Sequence, residues 1–256
     1  MPVTIGALRE GTPLETRVSV VPEVAGKLTQ SGARILIEHG AGTRAQFPDT
    51  AYKDVSWADS SDAVHAQSDV VLTVQPLSVE QIHRLKAGAV VIGFMQPYSR
   101  RAEVKALKDT GVTSFAVELI PRISRAQSMD ALSSQAAIAG DKAVLIAADH
   151  LPKFMPMLTT AAGTIRPSQV LIIGAGVAGL QAIATARRLG AVVEAYDVRS
   201  ATKEQVKSLG AKFVDTGVSA DGAGGYASGN GLLSAIGLGR LAGLAAAQEC
   251  KSESKE

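Results

Sequence analysis

Residues 170–179 read VLIIGAGVAG, and this stretch decides the fold of the second half of the chain. A β-branched apolar run leads into three glycines at G-x-G-x-x-G spacing, namely Gly174, Gly176 and Gly179. A helix-like segment at 180–189 follows, and a second strand-like run, 191–196, ends at Asp197. This order of strand, glycine turn, helix, strand and acid is typical of dinucleotide-binding folds, in which the helix N-terminus faces the pyrophosphate.

Each residue of this unit has a predicted role and an ordinary alternative. Val177 and Ala178, inside the glycine turn, are expected to pack on the cofactor backbone. Asp197 lies 18 positions after Gly179, where an acid accepts the ribose hydroxyls of NAD and repels the 2′-phosphate of NADP. The alternatives are a plain glycine-rich turn and a solvated acid at the end of a strand. An arginine at position 199 sometimes accommodates a 2′-phosphate, but the preceding acid opposes that role.

Composition excludes several classes of protein. The chain has 256 residues, of which 46% are hydrophobic and 20% charged, and its net charge of +2 does not suggest a nucleic-acid binder. Cys250 is the only cysteine, and no histidine stands at metal-ligand spacing, so neither disulfides nor a metal site are expected. The N-terminus is no signal peptide, and Arg240 interrupts the most apolar stretch, 231–247. We expect a soluble, cytoplasmic protein.

Strand and helix signals alternate along the first half, which predicts a parallel sheet covered on both faces. The expected strands are 3–8, 35–38, 70–74, 90–94 and 112–117, and the expected helices are 22–30, 60–67, 78–85 and 100–109. An alanine-rich segment, 131–150, predicts a long helix, and 159–169 is interpreted as a connector. The predicted fold class is α/β, with two Rossmann-like parallel-sheet domains joined by a long helix and the second domain incomplete.

The predicted organisation has four segments. They are an N-terminal α/β domain (1–130), a linking helix and connector (131–165), a partial dinucleotide-binding Rossmann domain (166–227) and an atypical tail (228–256). A second glycine motif, at residues 40–45, fits G-x-G-x-x-A spacing. The sequence Phe47-Pro48-Asp49 follows it and opposes a helix, so it is interpreted as a structural turn.

Several further stretches resemble one known family. Arg9-Glu10, Glu15-Thr16-Arg17-Val18 and Pro22 are similar to the N-terminal signature of alanine dehydrogenase and nicotinamide nucleotide transhydrogenase. The loop PRISRAQSMD at 121–130 is similar to that of the transhydrogenase alpha-subunit branch, as are ATARR at 184–188 and DVR at 197–199. The resemblance implies the NAD(H)-binding component of a proton-translocating transhydrogenase. It further implies a homodimer at the cytoplasmic face of the inner membrane, with transmembrane and NADP(H)-binding partner subunits.

The resemblance also implies roles for site residues. Four would hold the nicotinamide and its ribose and carry catalysis: Arg122, Gln127, Asp130 and Ser133, with Gln127 nearest the facing NADP(H) ring. Val198 and Arg199 would flank the adenosine, and Gly225 would let backbone approach the adenine. The alternatives are a helix cap for Asp130 and a loop hinge for Gly225.

The residues also bear on which branch of the family the chain follows. The alanine dehydrogenases are known for a lysine and a histidine at places that read Val74-Gln75-Pro76 and Met95-Gln96-Pro97 here. Amide side chains do no proton chemistry at neutral pH, and Arg17 is interpreted as a structural ion-pair or loop residue. This favours direct hydride transfer between two nicotinamides, which needs no protein acid or base.

The resemblance is expected to end at Ala227. The tail after it runs through an Ala/Gly/Leu stretch into the charged end KSESKE, which is typical of a shifted reading frame, a truncated gene model or a natural short variant. A partial sheet would leave an exposed edge, so weak or absent transhydrogenation is expected. Two alternative functions stay open, an alanine dehydrogenase-like oxidoreductase and a truncated NAD-binding module without turnover.

Overall fold

Two parallel sheets and the helices that flank them form most of the portion of the chain that the structure describes. The structure is a computed structural model, and it describes residues 2–217. The chain divides into two compact units, one spanning Met1–Ala131 and the other beginning at Leu132. Parallel strands flanked by helices make up most of both units, so the predicted α/β class with Rossmann-like sheets is confirmed.

The first unit contains a six-stranded sheet and four α-helices. Its strands are β1 (Thr4–Ala7), β2 (Arg34–Glu38), β3 (Ser56–Ala58), β4 (Val70–Leu72), β5 (Val90–Gly93) and β6 (Thr113–Ala116). Its helices are α1 (Pro22–Gln30), α2 (Ser61–Gln67), α3 (Val79–His83) and α4 (Arg101–Asp109). All neighbouring strands pair in parallel, in the order β3-β2-β1-β4-β5-β6. The order reverses between β1 and β4, so the loops after these two strands meet at one edge.

Strand β2 shows why the apolar runs are continuous rather than alternating. Ile35 and Ile37 pack in the cluster that contains Val20, whereas Leu36 packs in a second cluster with Val71. Successive side chains of a strand point to opposite faces, and both faces of this sheet are covered. Every residue of the run is therefore buried.

The segment with the second glycine motif forms no α-helix. A single 3₁₀ turn at Thr43–Ala45 follows the glycines, and another occupies Asp49–Ala51. A phosphate at this turn would lack the row of aligned amides that a full helix offers. The interpretation as a structural turn agrees with this geometry.

The second unit contains a three-stranded parallel sheet within residues 132–217. Its elements are α5 (Ala131–His150), β7 (Leu158–Thr160), β8 (Gly163–Ile165), β9 (Gln169–Ile173), α6 (Val177–Arg188), β10 (Val192–Tyr196), α7 (Thr202–Ser208) and β11 (Lys212–Phe213). The sheet order is β11-β10-β9. Helix α5 has the predicted bounds. The predicted connector instead contains an antiparallel hairpin, β7–β8, whose paired threonines, Thr159 and Thr164, also bond through their hydroxyls.

A buried histidine on α2 makes the stability of the first unit sensitive to acid. His65 is fully buried, and neither ring nitrogen has a hydrogen-bond partner among the described residues. Burial lowers the pKa of His65 below its usual 6.5; the charge of Asp62 opposes this shift and that of Arg84 adds to it. The unfolded chain therefore takes up a proton that the folded chain resists. The contribution of the neutral His65 ring to the stability of the fold is fully present above the usual pKa of 6.5, and it is lost as the pH falls below that value.

We expect His65→Leu to remove most of this loss. The free energy of unfolding, measured in urea at about pH 7.5 and about pH 5.5, should fall less between the two conditions than in the parent chain. His83→Gln, at an exposed position on α3, is the matched control and should leave the pH dependence unchanged. An identical loss in the parent chain and in His65→Leu would contradict the assignment.

Candidate functional site

The glycine turn joins β9 to α6 at the carboxyl edge of the second sheet. Gly174 has a φ of +96°, a conformation that side chains rarely allow, and its N–H donates to the carbonyl of Tyr196 at 2.7 Å. Helix α6 begins at Val177, with Gly176 as its N-cap. The predicted helix start at residue 180 is therefore wrong by one turn. The first turn contains Ala178 and Gly179, and the amides of such a turn have no partner within the helix.

The other two glycines of the motif differ in what surrounds the position that a side chain would occupy. A Cβ on Gly179 would lie 1.7 Å from the carbonyl oxygen of Gly174, so the fold itself requires glycine there. A Cβ on Gly176 would meet nothing nearer than the Arg199 Nη2 atom, at 4.0 Å. The backbone conformation of Gly176 is an ordinary extended one. The fold therefore leaves open space over Gly176, where a ligand can approach the backbone.

Asp197 follows β10 and reaches back to the glycine turn. Its carboxylate is buried and accepts the N–H of Ala175 at 2.7 Å and the N–H of Arg199 at 2.9 Å. Burial raises the pKa of Asp197, but the hydrogen bonds from Arg199 and Ala175 outweigh burial and lower the pKa to about 2. The acid is therefore ionised at neutral pH.

Arg199 holds the same carboxylate with its side chain. Its Nε lies 2.9 Å from Oδ1 of Asp197 and its Nη2 lies 2.8 Å from Oδ2. The same Nη2 atom lies 4.0 Å from the position of a Cβ on Gly176, so the guanidinium borders the open space over Gly176. Val198, between these two residues, is partly exposed. Eight of the predicted cofactor residues thus lie at one edge of the sheet, in the glycine turn, in the first turn of α6 or directly after β10, namely Gly174, Gly176, Val177, Ala178, Gly179, Asp197, Val198 and Arg199.

The other predicted residues lie on the segment after β6 and at the start of α5. Gln127 is exposed on a 3₁₀ helix, Ser124–Met129, that Ala126 anchors by its burial. Arg122 precedes this helix and is exposed, and Asp130 follows it directly. Ser133 belongs to the first turn of α5, in the second unit. Gly225 and the tail lie outside the described residues.

A polar cluster, which sequence analysis did not identify, occupies the point where the first sheet reverses its strand order. Glu10, after β1, accepts the N–H groups of Val74 and Gln75 at 2.6 and 3.0 Å. Glu15 accepts hydrogen bonds from Arg17 Nε at 2.8 Å and from the Gln75 amide at 2.5 Å. The only sequence signal for these partners was the family signature, because Gln75 lies far along the chain from both acids.

The chemistry of this cluster is that of an internally paired network. Burial raises the pKa of Glu10, whereas the hydrogen bond from Arg17 lowers the pKa of Glu15 to about 2. The ion pair of Arg17 with Glu15, at 2.7 Å, agrees with the structural role predicted for Arg17. Gln96 has a φ of +48° and donates its N–H to Glu118 at 2.5 Å. Neither Gln75 nor Gln96 can exchange a proton at neutral pH.

Residues 2–217 contain neither a metal centre nor a membrane span. No group of three His, Cys, Asp or Glu side chains in this range could hold a metal ion. No helix in the same range combines the length and the apolar character needed to cross a bilayer.

Family models match both halves of the chain. The model described as "Alanine dehydrogenase/PNT, N-terminal domain" matches residues 6–139, and the corresponding C-terminal domain model matches residues 143–252. The second match runs past residue 227, into the stretch that is predicted to be an atypical tail.

The relatives have transhydrogenase names. The chain is 48% identical over 216 residues to a protein of Rickettsia prowazekii named as the first portion of NAD(P) transhydrogenase subunit alpha, an alignment covering 82% of this chain and 56% of the relative. The protein of the same name from Rhodospirillum rubrum is 47% identical over 230 residues, covering 86% of this chain and 60% of the relative. The chain thus spans little more than half the length of these relatives.

A solved structure titled as a transhydrogenase from Sinorhizobium meliloti has the same fold. It superposes with a TM-score of 0.79 at 46% sequence identity. The alignment covers 82% of this chain and 64% of that one.

Proposed function

The chain belongs to the alanine dehydrogenase/PNT family, and from that premise we propose that it is the NAD(H)-binding component of a proton-translocating NAD(P) transhydrogenase. The observation that carries the proposal is the open space over Gly176 beside the ionised Asp197. The fold requires glycine at position 174, because of its positive φ, and at position 179, because a Cβ would overlap the Gly174 carbonyl. Neither constraint applies to Gly176, so the fold gives no reason for glycine there. A dinucleotide supplies one, because its pyrophosphate must lie against the backbone and the first amides of α6.

The choice of NAD(H) over NADP(H) depends on Asp197. A carboxylate with a pKa of about 2 is ionised at neutral pH and can accept hydrogen bonds from both ribose hydroxyls. The same charge repels a 2′-phosphate. Arg199 has to share or leave the carboxylate oxygens when the hydroxyls bind, because it already donates to both.

The proposed reaction is hydride transfer from bound NADH to NADP⁺ on a partner subunit, or from NADPH on that subunit to bound NAD⁺. The bound nicotinamide supplies the redox chemistry, and the protein has to orient the ring and exclude water. Arg122, Gln127, Asp130 and Ser133 are proposed to hold the nicotinamide and its ribose. Gln75 and Gln96 provide no acid or base for an amino-acid dehydrogenase, which supports ring-to-ring transfer over that alternative.

The proposed partners follow the names of the relatives, which describe one portion of a divided alpha subunit. We propose that this chain works as a homodimer with transmembrane and NADP(H)-binding subunits. In that arrangement it is peripheral, at the cytoplasmic face of the membrane.

Fluorescence titration of the purified chain with NADH and NADPH tests the proposal. We expect saturable NADH binding and much weaker NADPH binding. Addition of the purified NADP(H)-binding component should then allow hydride transfer to an NADP⁺ analogue. Binding without transfer would favour a non-catalytic NAD-binding module, and turnover with alanine and NAD⁺ would favour an amino-acid dehydrogenase. Absence of NADH binding would refute the proposal.

Gln127→Ala is expected to separate binding from transfer. The exposed amide lies on a short 3₁₀ helix, so its removal should not disturb the fold. We expect the dissociation constant for NADH to change less than about threefold and the transfer rate to fall about tenfold or more, because the amide positions the ring. Stopped-flow measurement with the partner component checks this, with Gln135→Ala on α5 as a control amide. An unchanged transfer rate would show that Gln127 has no such role.

A further inference from the structure

Helix α5 touches the first turn of α6 backbone to backbone. Gly140, in the middle of α5, is buried. A Cβ at this position would lie 2.0 Å from the carbonyl oxygen of Ala178 and 3.0 Å from its Cα. These distances allow no side chain, and the neighbouring atoms belong to backbone, which cannot rotate away. The close approach of the two helices therefore depends on glycine at position 140.

A side-chain hydrogen bond joins the same two helices at Asp141, the residue after Gly140 on α5. The Thr185 hydroxyl, on α6, donates to Oδ1 of Asp141 at 2.6 Å, and Thr185 is buried. Val144, one turn after Gly140 on α5, packs in a core cluster with Ala182 and Ile183 of α6. The face of α5 around Gly140 is thus held against α6 at several points.

The first turn of α6 is consequently enclosed on two sides by backbone. Gly179 packs against the carbonyl of Gly174, and Ala178 packs against Gly140. Gly174 is itself bound to the Tyr196 carbonyl at the end of β10. The turn has little room to move toward either neighbour without a displacement of backbone.

From this geometry we propose that Gly140 is a positioning residue for phosphate binding by α6. It acts through Ala178, holding the first amides of the helix where the pyrophosphate meets them. The inference rests on the function proposed above, since it assumes a dinucleotide at the glycine turn. Nothing in the G-x-G-x-x-G motif indicates it, because Gly140 lies 34 residues before Gly174.

Gly140→Ala tests the inference. The added methyl group must push the two helices apart, so the amides of α6 should lose their alignment with phosphate. A misplacement of about 1 Å can cost about a hundredfold in function, so we expect AMP and NADH to bind about tenfold to a hundredfold more weakly. Adenosine has no phosphate and should bind nearly as in the parent chain. The diagnostic quantity is the ratio of the AMP affinity to the adenosine affinity, measured by NMR titration.

Two further variants keep the test decisive. Val206→Ala weakens the same core from α7, away from the glycine turn, and should leave the AMP-to-adenosine ratio unchanged. Thr185→Val removes the hydroxyl contact with Asp141 without adding bulk, and should lower the ratio a few-fold. If Gly140→Ala does not fold, the Thr185→Val ratio decides. An unchanged ratio in the folded variant overturns the inference, whereas failure of the parent chain to bind NADH overturns the proposed function instead.

Discussion

Replacing Asp197 with asparagine is expected to weaken NADH binding about tenfold to a hundredfold. Hydrogen bonds to a charged acceptor contribute about 1.5–3 kcal/mol each, and a tenfold change in affinity corresponds to about 1.4 kcal/mol. Asparagine keeps the shape of the side chain and an oxygen for the Ala175 N–H, so the fold should survive. At the proposed ribose site, the hydroxyls would lose a charged acceptor.

The same change should also admit NADPH. The repulsion of the 2′-phosphate disappears with the charge, and the Arg199 side chain loses the carboxylate that now binds its Nε and Nη2. An arginine near the ribose can accommodate a 2′-phosphate. We therefore expect NADPH to bind more tightly to Asp197→Asn than to the parent chain, and expect Asp197→Asn/Arg199→Ala to lose that gain.

Fluorescence titration with both cofactors measures the change in preference. Glu194→Gln is the matched control, since it removes one negative charge from β10, the strand that Asp197 follows, where Glu194 pairs with Lys212 at 2.8 Å. It should leave both affinities unchanged. An unaltered preference for NADH in Asp197→Asn would exclude Asp197 from the ribose site.

The pH dependence of NADH binding gives an independent check on Asp197. Its pKa is lowered from 3.8 to about 2, so the stabilisation from its ionised form is present above the usual pKa and is lost only as the pH falls toward 2. Between about pH 5 and pH 8, this group should therefore contribute no change in NADH affinity.

The helices and strands that could be predicted from the sequence are those whose own residues show a clear pattern. The buried run at Ile35–Leu36–Ile37 is apolar and contains two β-branched residues, and α5 has strong helix formers with no interior proline. β3 was not predicted, because Ser56, Trp57 and Ala58 show no such run. That strand exists because it pairs with β2, and such pairing between distant segments is not visible in a short window of sequence.

The start of α6 was misplaced for a related reason. Glycine has a low helix propensity, so a glycine-rich stretch predicts a turn rather than the first turn of a helix. The contact of Gly179 with the carbonyl of Gly174 overrides that propensity. The hydrogen-bond partners of Glu10 and Glu15 were likewise not predicted, because only the family signature marked these residues in the sequence. The buried position of Glu10 depends on backbone donors at Val74 and Gln75, far along the chain.

The two glycines that flank the start of α6 should give opposite patterns of damage when each is replaced by alanine. Gly176→Ala places a methyl group in open space, 4.0 Å from its nearest neighbour, at an N-cap position with ordinary dihedral angles. The cost in stability should be at most about 1 kcal/mol. The methyl group nevertheless occupies the space in which we propose that the pyrophosphate lies, so we expect NADH affinity to fall about a hundredfold.

Gly179→Ala should instead damage the fold and the site together. Its methyl group would overlap the Gly174 carbonyl, and Gly174 is bound to Tyr196, so α6 has to shift at a cost of about 1–3 kcal/mol or more. Thermal unfolding and NADH titration of both variants give the comparison. Normal NADH binding by Gly176→Ala would contradict the proposed position of the pyrophosphate in the open space over Gly176. Neither the fold nor the ligand would then require glycine at this position.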